Sequence, residues 1–190
     1  MVTINVGLDG WILSDGNYDD FRAGQETKFA LEFYGPGLTQ VGTSPGGPSL
    51  DHEMGSGYLA RGQVVYSAPE VWVCDFGVLA YREEQPPDWA HFGAHAAGSI
   101  YLGVDPFIYF ERLHNLPGMP KLTYRVLIRQ VLLETTPWIP DPKGRFAAIR
   151  DESRTGFRMV EHTGVHDNSG FGSHFVLDCD ILESEVDPVT

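Results

Sequence analysis

Apolar and polar side chains alternate along much of this chain, and this spacing constrains the fold more strongly than any other feature of the sequence. In residues 28–33, Phe29, Leu31 and Phe33 occupy alternate positions, and the run 173–182 repeats the pattern. Successive side chains of a β-strand point to opposite faces of the sheet, whereas an α-helix repeats about every 3.6 residues. The alternation therefore predicts strands that bury one face.

Nine segments show this alternation between clusters of Gly, Pro, Asn and Asp, which mark turns. The predicted strands are residues 2–8, 27–34, 58–67, 71–82, 97–104, 106–113, 122–135, 155–162 and 173–182. Many short strands with little helix are typical of an all-β fold. We therefore predict an antiparallel β-barrel or β-sandwich of about nine short strands, and the spacing alone does not choose between the two.

Residues 122–135 also fit a helix. Tyr124, Ile128 and Val131 recur at the spacing of an amphipathic helix, and Pro120 precedes them where a helix could begin. The segment is rich in Thr, Tyr, Val and Ile, which favour strands. We predict a strand here, with a helix as the alternative.

The length of 190 residues is that of one domain. Residues 1–34 on their own are too few to bury a stable core. Residues 35–57 are rich in Gly, Pro, Ser and Thr and lack periodicity, which is typical of a long loop. We predict a single β domain over residues 1–190 with a Gly/Pro-rich loop at 35–57.

An excess of acidic residues excludes some classes of partner. The chain carries 26 acidic and 13 basic side chains, a formal net charge of −13. Nucleic-acid binding depends on many contacts from Lys and Arg to phosphates, so this charge argues against nucleic acid as a partner. Residues 121–150 are the exception, with six basic side chains against two acidic ones. We predict that these basic side chains neutralise acidic neighbours within the fold, with binding of an anion or an acidic partner as the alternative.

The sequence shows no sign of a membrane span or of an export signal. It lacks an uninterrupted run of about 18 apolar residues, and its first residues lack the basic and apolar regions of a signal peptide. We therefore predict a cytoplasmic protein without a membrane partner. In that compartment Cys74 and Cys179, both within apolar runs, are predicted to be reduced thiols of the core rather than a disulfide.

Four side chains near the last predicted hairpin form a candidate metal site. His162, His166, Asp167 and His174 come together at one end if the last two predicted strands pair. Imidazoles with a carboxylate can bind zinc or non-haem iron. The Gly and Asn residues beside them also favour an ordinary turn, in which these side chains face solvent. We favour the turn and keep a divalent metal cofactor as the alternative.

Candidates for catalysis are few. Asp75 lies within the apolar run 71–81, where a buried carboxylate could serve as a general acid or base. If that strand has one exposed face, Asp75 points to water instead, which is the interpretation that we favour. The chain has no GxSxG or Ser-x-x-Lys motif, and the serines next to glycine, Ser56 among them, are typical of turns.

Two functions remain open, beside a structural or assembly role that depends only on strand edges in need of a partner. The favoured prediction is a non-catalytic binding or interaction protein, whose acidic surface attracts a basic protein partner by long-range electrostatics. The alternative is a small β-barrel enzyme or small-molecule binder with a metal or carboxylate site, since the many aromatic residues could line a pocket. The sequence identifies neither the substrate or partner nor the oligomeric state.

Overall fold

Strands dominate the structure, a computed structural model that describes residues 2–42, 46–164 and 172–184. The strands are β1 (Val2–Asp9), β2 (Glu26–Val41), β3 (Ser49–His52), β4 (Gly57–Ala68), β5 (Val71–Asp75), β6 (Leu79–Arg82), β7 (His95–Val104), β8 (Thr123–Glu134), β9 (Trp138–Ile139), β10 (Ile149–Arg150), β11 (Phe157–Val160) and β12 (His174–Ser184). Between them lie the helices α1 (Gly10–Ser14) and α2 (Ile108–Glu111) and the 3₁₀ turns Leu113–Asn115 and Glu152–Arg154. The helices of the described residues are all much shorter than a membrane-spanning segment. The predicted all-β fold is confirmed.

Eight of the strands close into a barrel. Two of these eight, the long strands β2 and β7, pair with each other antiparallel along most of their length. Strand β7 also pairs with β4 and, at Gly103, with β1, while β2 also pairs with β8 and, at Glu32, with β6. Strand β5 joins β4 to β6, and β12 joins β1 to β8. The ladders therefore return to their start, and the fold is a barrel rather than a sandwich. Strand β3 extends this sheet beside β4, β11 extends it beside β8, and β9 pairs with β10.

The strand count and two of the ladders differ from the prediction. The described residues contain twelve strands rather than nine. Strands β9 and β10 have two residues each, too few to show an alternation in the sequence. The predicted strand 71–82 is divided into β5 and β6 by a turn in which Phe76 N donates to Val78 O at 2.9 Å. The β1–β7 and β2–β6 pairs are parallel, so the barrel is not purely antiparallel.

One predicted strand is wrong, and one ambiguous segment is resolved. Residues 106–113 form α2 and part of a 3₁₀ turn, because the carboxylate of Asp105 accepts a hydrogen bond from Tyr109 N at 3.0 Å and so stabilises a helical turn. Residues 122–135 contain the strand β8 and not a helix, as predicted.

The segment 35–57 is not one long loop. Strand β2 continues through it to Val41, after a bulge between Tyr34 and Gly37 in the ladder with β7. Strand β3 occupies Ser49–His52. The Gly and Pro residues that suggested a loop are accommodated in part by this bulge, which leaves the pairing intact on either side.

The inward faces of the strands form one apolar core. Phe33 makes edge-to-face contacts with Trp72 and Phe76, at 5.0 and 5.4 Å between ring centroids. Cys74 and Cys179 lie in this core as free thiols, as predicted, and burial raises the pKa of both. The alternation of the sequence thus identifies the buried face correctly.

Two tyrosine hydroxyls join barrel strands that share no ladder in the described residues. Tyr58 of β4 accepts a hydrogen bond from Asn5 N of β1 at 2.6 Å and donates to Asn5 O at 3.2 Å. Tyr124 of β8 makes the same two bonds with Leu79 of β6, also at 2.6 and 3.2 Å. Strands β1 and β4 both pair with β7, and β6 and β8 both pair with β2. Each hydroxyl therefore bridges a seam, β1/β4 or β6/β8, between two strands that share a neighbour.

A smaller apolar cluster on the outer face of the barrel, beneath α2, contains a buried carboxylate. Asp105 accepts a hydrogen bond from Tyr81 Oη at 2.5 Å, and burial raises the pKa of its carboxyl. Burial also raises the pKa of the nearby Glu32 to about 8, and the charges of Asp105 and Asp9 add to this effect. Glu32 is therefore mostly protonated at neutral pH.

The predicted neutralisation of basic side chains in residues 121–150 is confirmed for four arginines, each of which has an acidic partner within 4 Å. The pairs are Arg125 with Glu26 and Glu183, Arg129 with Asp178 and Asp180, Arg145 with Asp141, and Arg150 with Glu134.

Replacing Tyr124 with Phe should lower the free energy of unfolding by about 1–3 kcal/mol, because the buried backbone of Leu79 loses its partner. Urea unfolding followed by circular dichroism measures the change. Tyr66→Phe is the matched control, since Tyr66 is partly exposed on β4 and its hydroxyl loss should cost less than about 0.5 kcal/mol. Equal losses in the two variants would contradict a stabilising role for the seam contact.

Replacing Glu32 with Gln should reduce the dependence of stability on pH. The folded state holds the Glu32 proton up to about pH 8, whereas an unperturbed glutamate releases it near 4.5. The folded protein therefore keeps this contribution in full below the lower value and loses it as the pH rises through this window. Because Gln imitates the protonated carboxyl, the free energy of unfolding of Glu32→Gln should exceed that of the wild type by up to about 5 kcal/mol above the window, and the two should converge below it.

Denaturant unfolding at a series of pH values measures this difference. Glu53→Gln removes an exposed carboxylate. The stability of this control should depend on pH in the same way as that of the wild type. Parallel curves for wild type and Glu32→Gln would show that Glu32 is not held protonated in the fold.

Candidate functional site

The candidate site is a cavity of about 680 Å³ between the outer face of the barrel and the small β9–β10 sheet. Its floor comes from the adjoining ends of β1 and β12 and from β2 and β7, and its walls come from the β3–β4 turn, β9, β10 and β11. This volume falls within the range of about 300–1,000 Å³ that is typical of small-molecule sites.

Aromatic side chains from five separate elements line the cavity: Trp11, Tyr34, Tyr101, Trp138 and Phe157. Trp11 is 53% exposed, Tyr101 43% and Tyr34 37%. The rings of Tyr34 and Tyr101 are stacked, with centroids 5.6 Å apart. Large aromatic side chains that are exposed together around one cavity, rather than scattered, are typical of a binding surface.

A histidine–carboxylate pair lies in the floor of the cavity. Asp9 and His174 face each other across the β1–β12 ladder, and His174 Nδ1 lies 2.8 Å from Asp9 Oδ1. The hydrogen bond from His174 lowers the pKa of Asp9 below its usual value, burial opposes this effect, and a hydrogen bond from Trp11 adds to it. Asp9 is therefore ionised at neutral pH and accepts the hydrogen bond from His174 Nδ1, so Nε2 is the ring nitrogen that Asp9 does not engage.

A second charge pair, Arg150 of β10 and Glu134 at the end of β8, also lines the cavity. Arg150 Nε is 3.9 Å from Glu134 Oε2, and an Nη atom donates to the carbonyl of Thr136 at 2.5 Å. The guanidinium stacks over Trp138, 4.2 Å from the ring centroid. This cation is thus already matched by a carboxylate, a carbonyl and an aromatic face.

Three polar side chains converge over the backbone of Gly7. A β-carbon at this position would lie 2.9 Å from Ser56 Oγ, 3.0 Å from Tyr34 Oη and 3.3 Å from His174 Cε1. The hydroxyls of Ser56 and Tyr34 are hydrogen-bonded to each other. A larger residue than glycine would displace this group, which we call the polar corner.

Ser56 is presented to the cavity by a tight turn between β3 and β4. Gly57 N donates to Met54 O at 2.8 Å, and Gly55 takes the positive φ of 59° that the turn requires. The carbonyl of Ser56 accepts a hydrogen bond from Leu102 N at 2.9 Å. The backbone on both sides of the hydroxyl is therefore fixed.

A second cavity, of about 490 Å³, lies beside the β1/β4 seam. Its polar side chains include Asn5, His52, Arg129 and Asp178, and the Asn5 amide contacts the His52 ring at 2.9 Å. Its aromatic lining is limited to two rings, Tyr58 and Phe76, both in the barrel core. The larger cavity is therefore the better candidate for a binding site.

Asp75, the sequence candidate for acid–base chemistry, closes a turn in the structure. It ends β5, and its Oδ1 accepts a hydrogen bond from Gly77 N at 2.8 Å. This contact is an Asx turn that connects β5 to β6. Asp75 does not line either of the two cavities described above.

The candidate metal ligands divide between two places. His174 lies in the aromatic cavity, whereas His162 forms a β-bridge with Arg22 and its Nδ1 accepts a hydrogen bond from Gly164 N at 3.1 Å. His166 and Asp167 lie outside the described residues. Within residues 2–42, 46–164 and 172–184 there is no group of three or more His, Cys, Asp or Glu side chains placed to hold a metal. The four-residue metal site therefore stays a prediction.

Asp9, Ser56 and Tyr34 were not identifiable as site residues from any motif, because they come from separate strands and turns. One feature of the local sequence does mark the position of the polar corner. Gly7 lies inside the first strand, and glycine within a strand often marks the close approach of other groups to the backbone.

Comparison of this chain with protein-family models, with curated proteins and with solved structures found no match.

Proposed function

We propose that this protein binds a small organic molecule in the aromatic cavity, and that the ligand is a neutral, flat compound with polar substituents. The observation that carries the proposal is the gathering of exposed aromatic rings around one cavity whose charged groups are already paired. It corresponds to the small-molecule alternative of the sequence analysis.

The aromatic lining supports a ligand with a flat apolar face. Tyr and Trp side chains have few rotatable bonds, so they supply a large contact area at a small entropic cost. Trp11 and Tyr101 come from α1 and β7, and the ring of Tyr101 stacks on that of Tyr34. Binding therefore requires little rearrangement of these rings.

The charge pairs support a neutral ligand with hydrogen-bonding substituents. Asp9 is held by His174, and Arg150 by Glu134, so an ionic ligand would have to compete with an existing partner for either charge. A hydroxyl or carbonyl group can instead add a hydrogen bond to the polar corner without breaking these contacts.

The favoured sequence prediction, an acidic surface that binds a basic protein, stays a prediction. Four arginines of residues 121–150 are paired with acidic side chains. The chain still carries 26 acidic against 13 basic side chains, so its net charge stays negative. The two functions are compatible, since the cavity and the rest of the surface are separate features.

A fragment library of neutral aromatic compounds, screened by ligand-observed NMR, should yield compounds that bind this cavity. Trp11→Ala should weaken their binding by about tenfold or more, because it removes an exposed ring from the wall. Phe92→Ala is the matched control, since Phe92 is 69% exposed and lies outside the cavity. Binding should be the same in this control as in the wild type.

Intrinsic fluorescence supplies an independent readout. Trp11 and Trp138 line the cavity, whereas Trp72 is in the barrel core. Fragments that bind should therefore change the emission of the wild type by more than that of Trp11→Phe. Fragments that bind Trp11→Ala and wild type with equal affinity would contradict the proposal.

A further inference from the structure

Three residue types that together can activate a serine nucleophile, Asp9, His174 and Ser56, lie around the backbone of Gly7. Asp9 orients the imidazole at 2.8 Å, and Ser56 Oγ and His174 Cε1 lie 2.9 and 3.3 Å from the same point above Gly7. A nucleophile, a base and an orienting carboxylate define this chemistry whatever their order along the chain. We propose that the cavity is a hydrolytic site for neutral esters, with Ser56 as nucleophile, His174 as general acid–base and Asp9 as a positioning residue.

This inference rests on the proposed function, because the cavity must first admit the substrate. The aromatic walls suit an ester with an aromatic or other flat apolar acyl group. The ester carbonyl, a neutral hydrogen-bond acceptor, then lies at the polar corner. Ser56 lines the cavity although its side chain is largely buried, so the acyl carbon approaches it from the cavity side.

The reaction needs only the ester and water. Ser56 Oγ forms a bond to the acyl carbon while its proton passes to His174 Nε2, the acceptor left free when Nδ1 donates to Asp9. The bond from the acyl carbon to the alcohol oxygen breaks, and the alcohol leaves with the proton from His174. Water, deprotonated by His174, then hydrolyses the acyl–Ser56 ester, releases the carboxylic acid and restores the serine hydroxyl.

Tyr34 is a hydrogen-bond partner for the Ser56 hydroxyl. Its hydroxyl is hydrogen-bonded to Ser56, and burial raises the pKa of Tyr34, so the phenol stays protonated. Tyr34 Oη can therefore donate to Ser56 Oγ, which leaves the serine proton for transfer to His174 in the proposed reaction. The tight turn at Gly55 and the bond from Leu102 N to Ser56 O hold the serine backbone in place.

The test uses the full chain with an alkyl fluorophosphonate, whose phosphorus bonds to an activated serine oxygen with loss of fluoride. Peptide mass spectrometry should find the adduct on Ser56 of the wild type. The yield should fall at least tenfold in His174→Gln. Ser67→Ala, which changes an exposed serine of β4, should keep the wild-type yield.

Hydrolysis of p-nitrophenyl benzoate supplies the kinetic readout. Ser56→Ala should lose about 100-fold or more of kcat/KM, and Asp9→Asn should lower kcat with little change in KM, because Asp9 acts through His174 and not on the ester. Thermal unfolding of each variant controls for loss of fold, and the adduct on the wild type needs no variant at all.

An unmodified Ser56 in the wild type, or an equal adduct yield in His174→Gln, would overturn the inference. So would undiminished hydrolysis by Ser56→Ala. If neutral fragments still bind the cavity in that case, only the hydrolytic inference fails and the binding function stands. If neither fragments nor the fluorophosphonate reach the cavity, both fail.

Discussion

The barrel depends on two long strands that each pair with three neighbours, whereas a strand inside a regular sheet pairs with two. β2 and β7 pair with each other, and each also pairs with two further strands. The further strands diverge, which leaves the seams β1/β4 and β6/β8 without ladders in the described residues. Tyr58 and Tyr124 satisfy backbone groups at these seams, since a phenol can donate and accept at once. The two halves of the barrel thus share a single core.

The candidate site follows from the same two strands. Tyr34 and Tyr101 project from the outer faces of β2 and β7, and the parallel contact of β1 with β7 pairs Gly7 with Gly103 nearby. The absence of side chains at these glycines leaves room for larger groups to lie against the sheet. This part of the outer surface forms the floor of a cavity because β9, β10 and β11 lie beside it and supply the walls.

Sequence reasoning recovered the features that depend on neighbours along the chain. The alternation at Phe29, Leu31 and Phe33 identified a buried face because a strand repeats every second residue. It failed at 106–113, where the Asp105 carboxylate stabilises a helical turn, and at 35–57, where a bulge carries β2 through a glycine-rich segment. In both places a contact or a strand pairing outweighed local composition.

The site could not be predicted in the same way. Asp9 and His174 are 165 positions apart, and only the β1–β12 ladder makes them cross-strand neighbours. His174 was singled out, but as a metal ligand, because histidines nearby in sequence suggested a cluster. Its contact in the structure is a carboxylate from a distant part of the chain, Asp9.

The sequence by itself determined the class of the fold, the buried faces of most strands, the two free core thiols and the acidic charge, because each of these is local or additive. Only the tertiary structure decided that the sheet closes into a barrel with two parallel pairs, and that aromatic rings and the polar corner meet around one cavity. The physical reason is that strand order and register bring together residues from distant parts of the chain, and neither quantity is encoded in a local pattern.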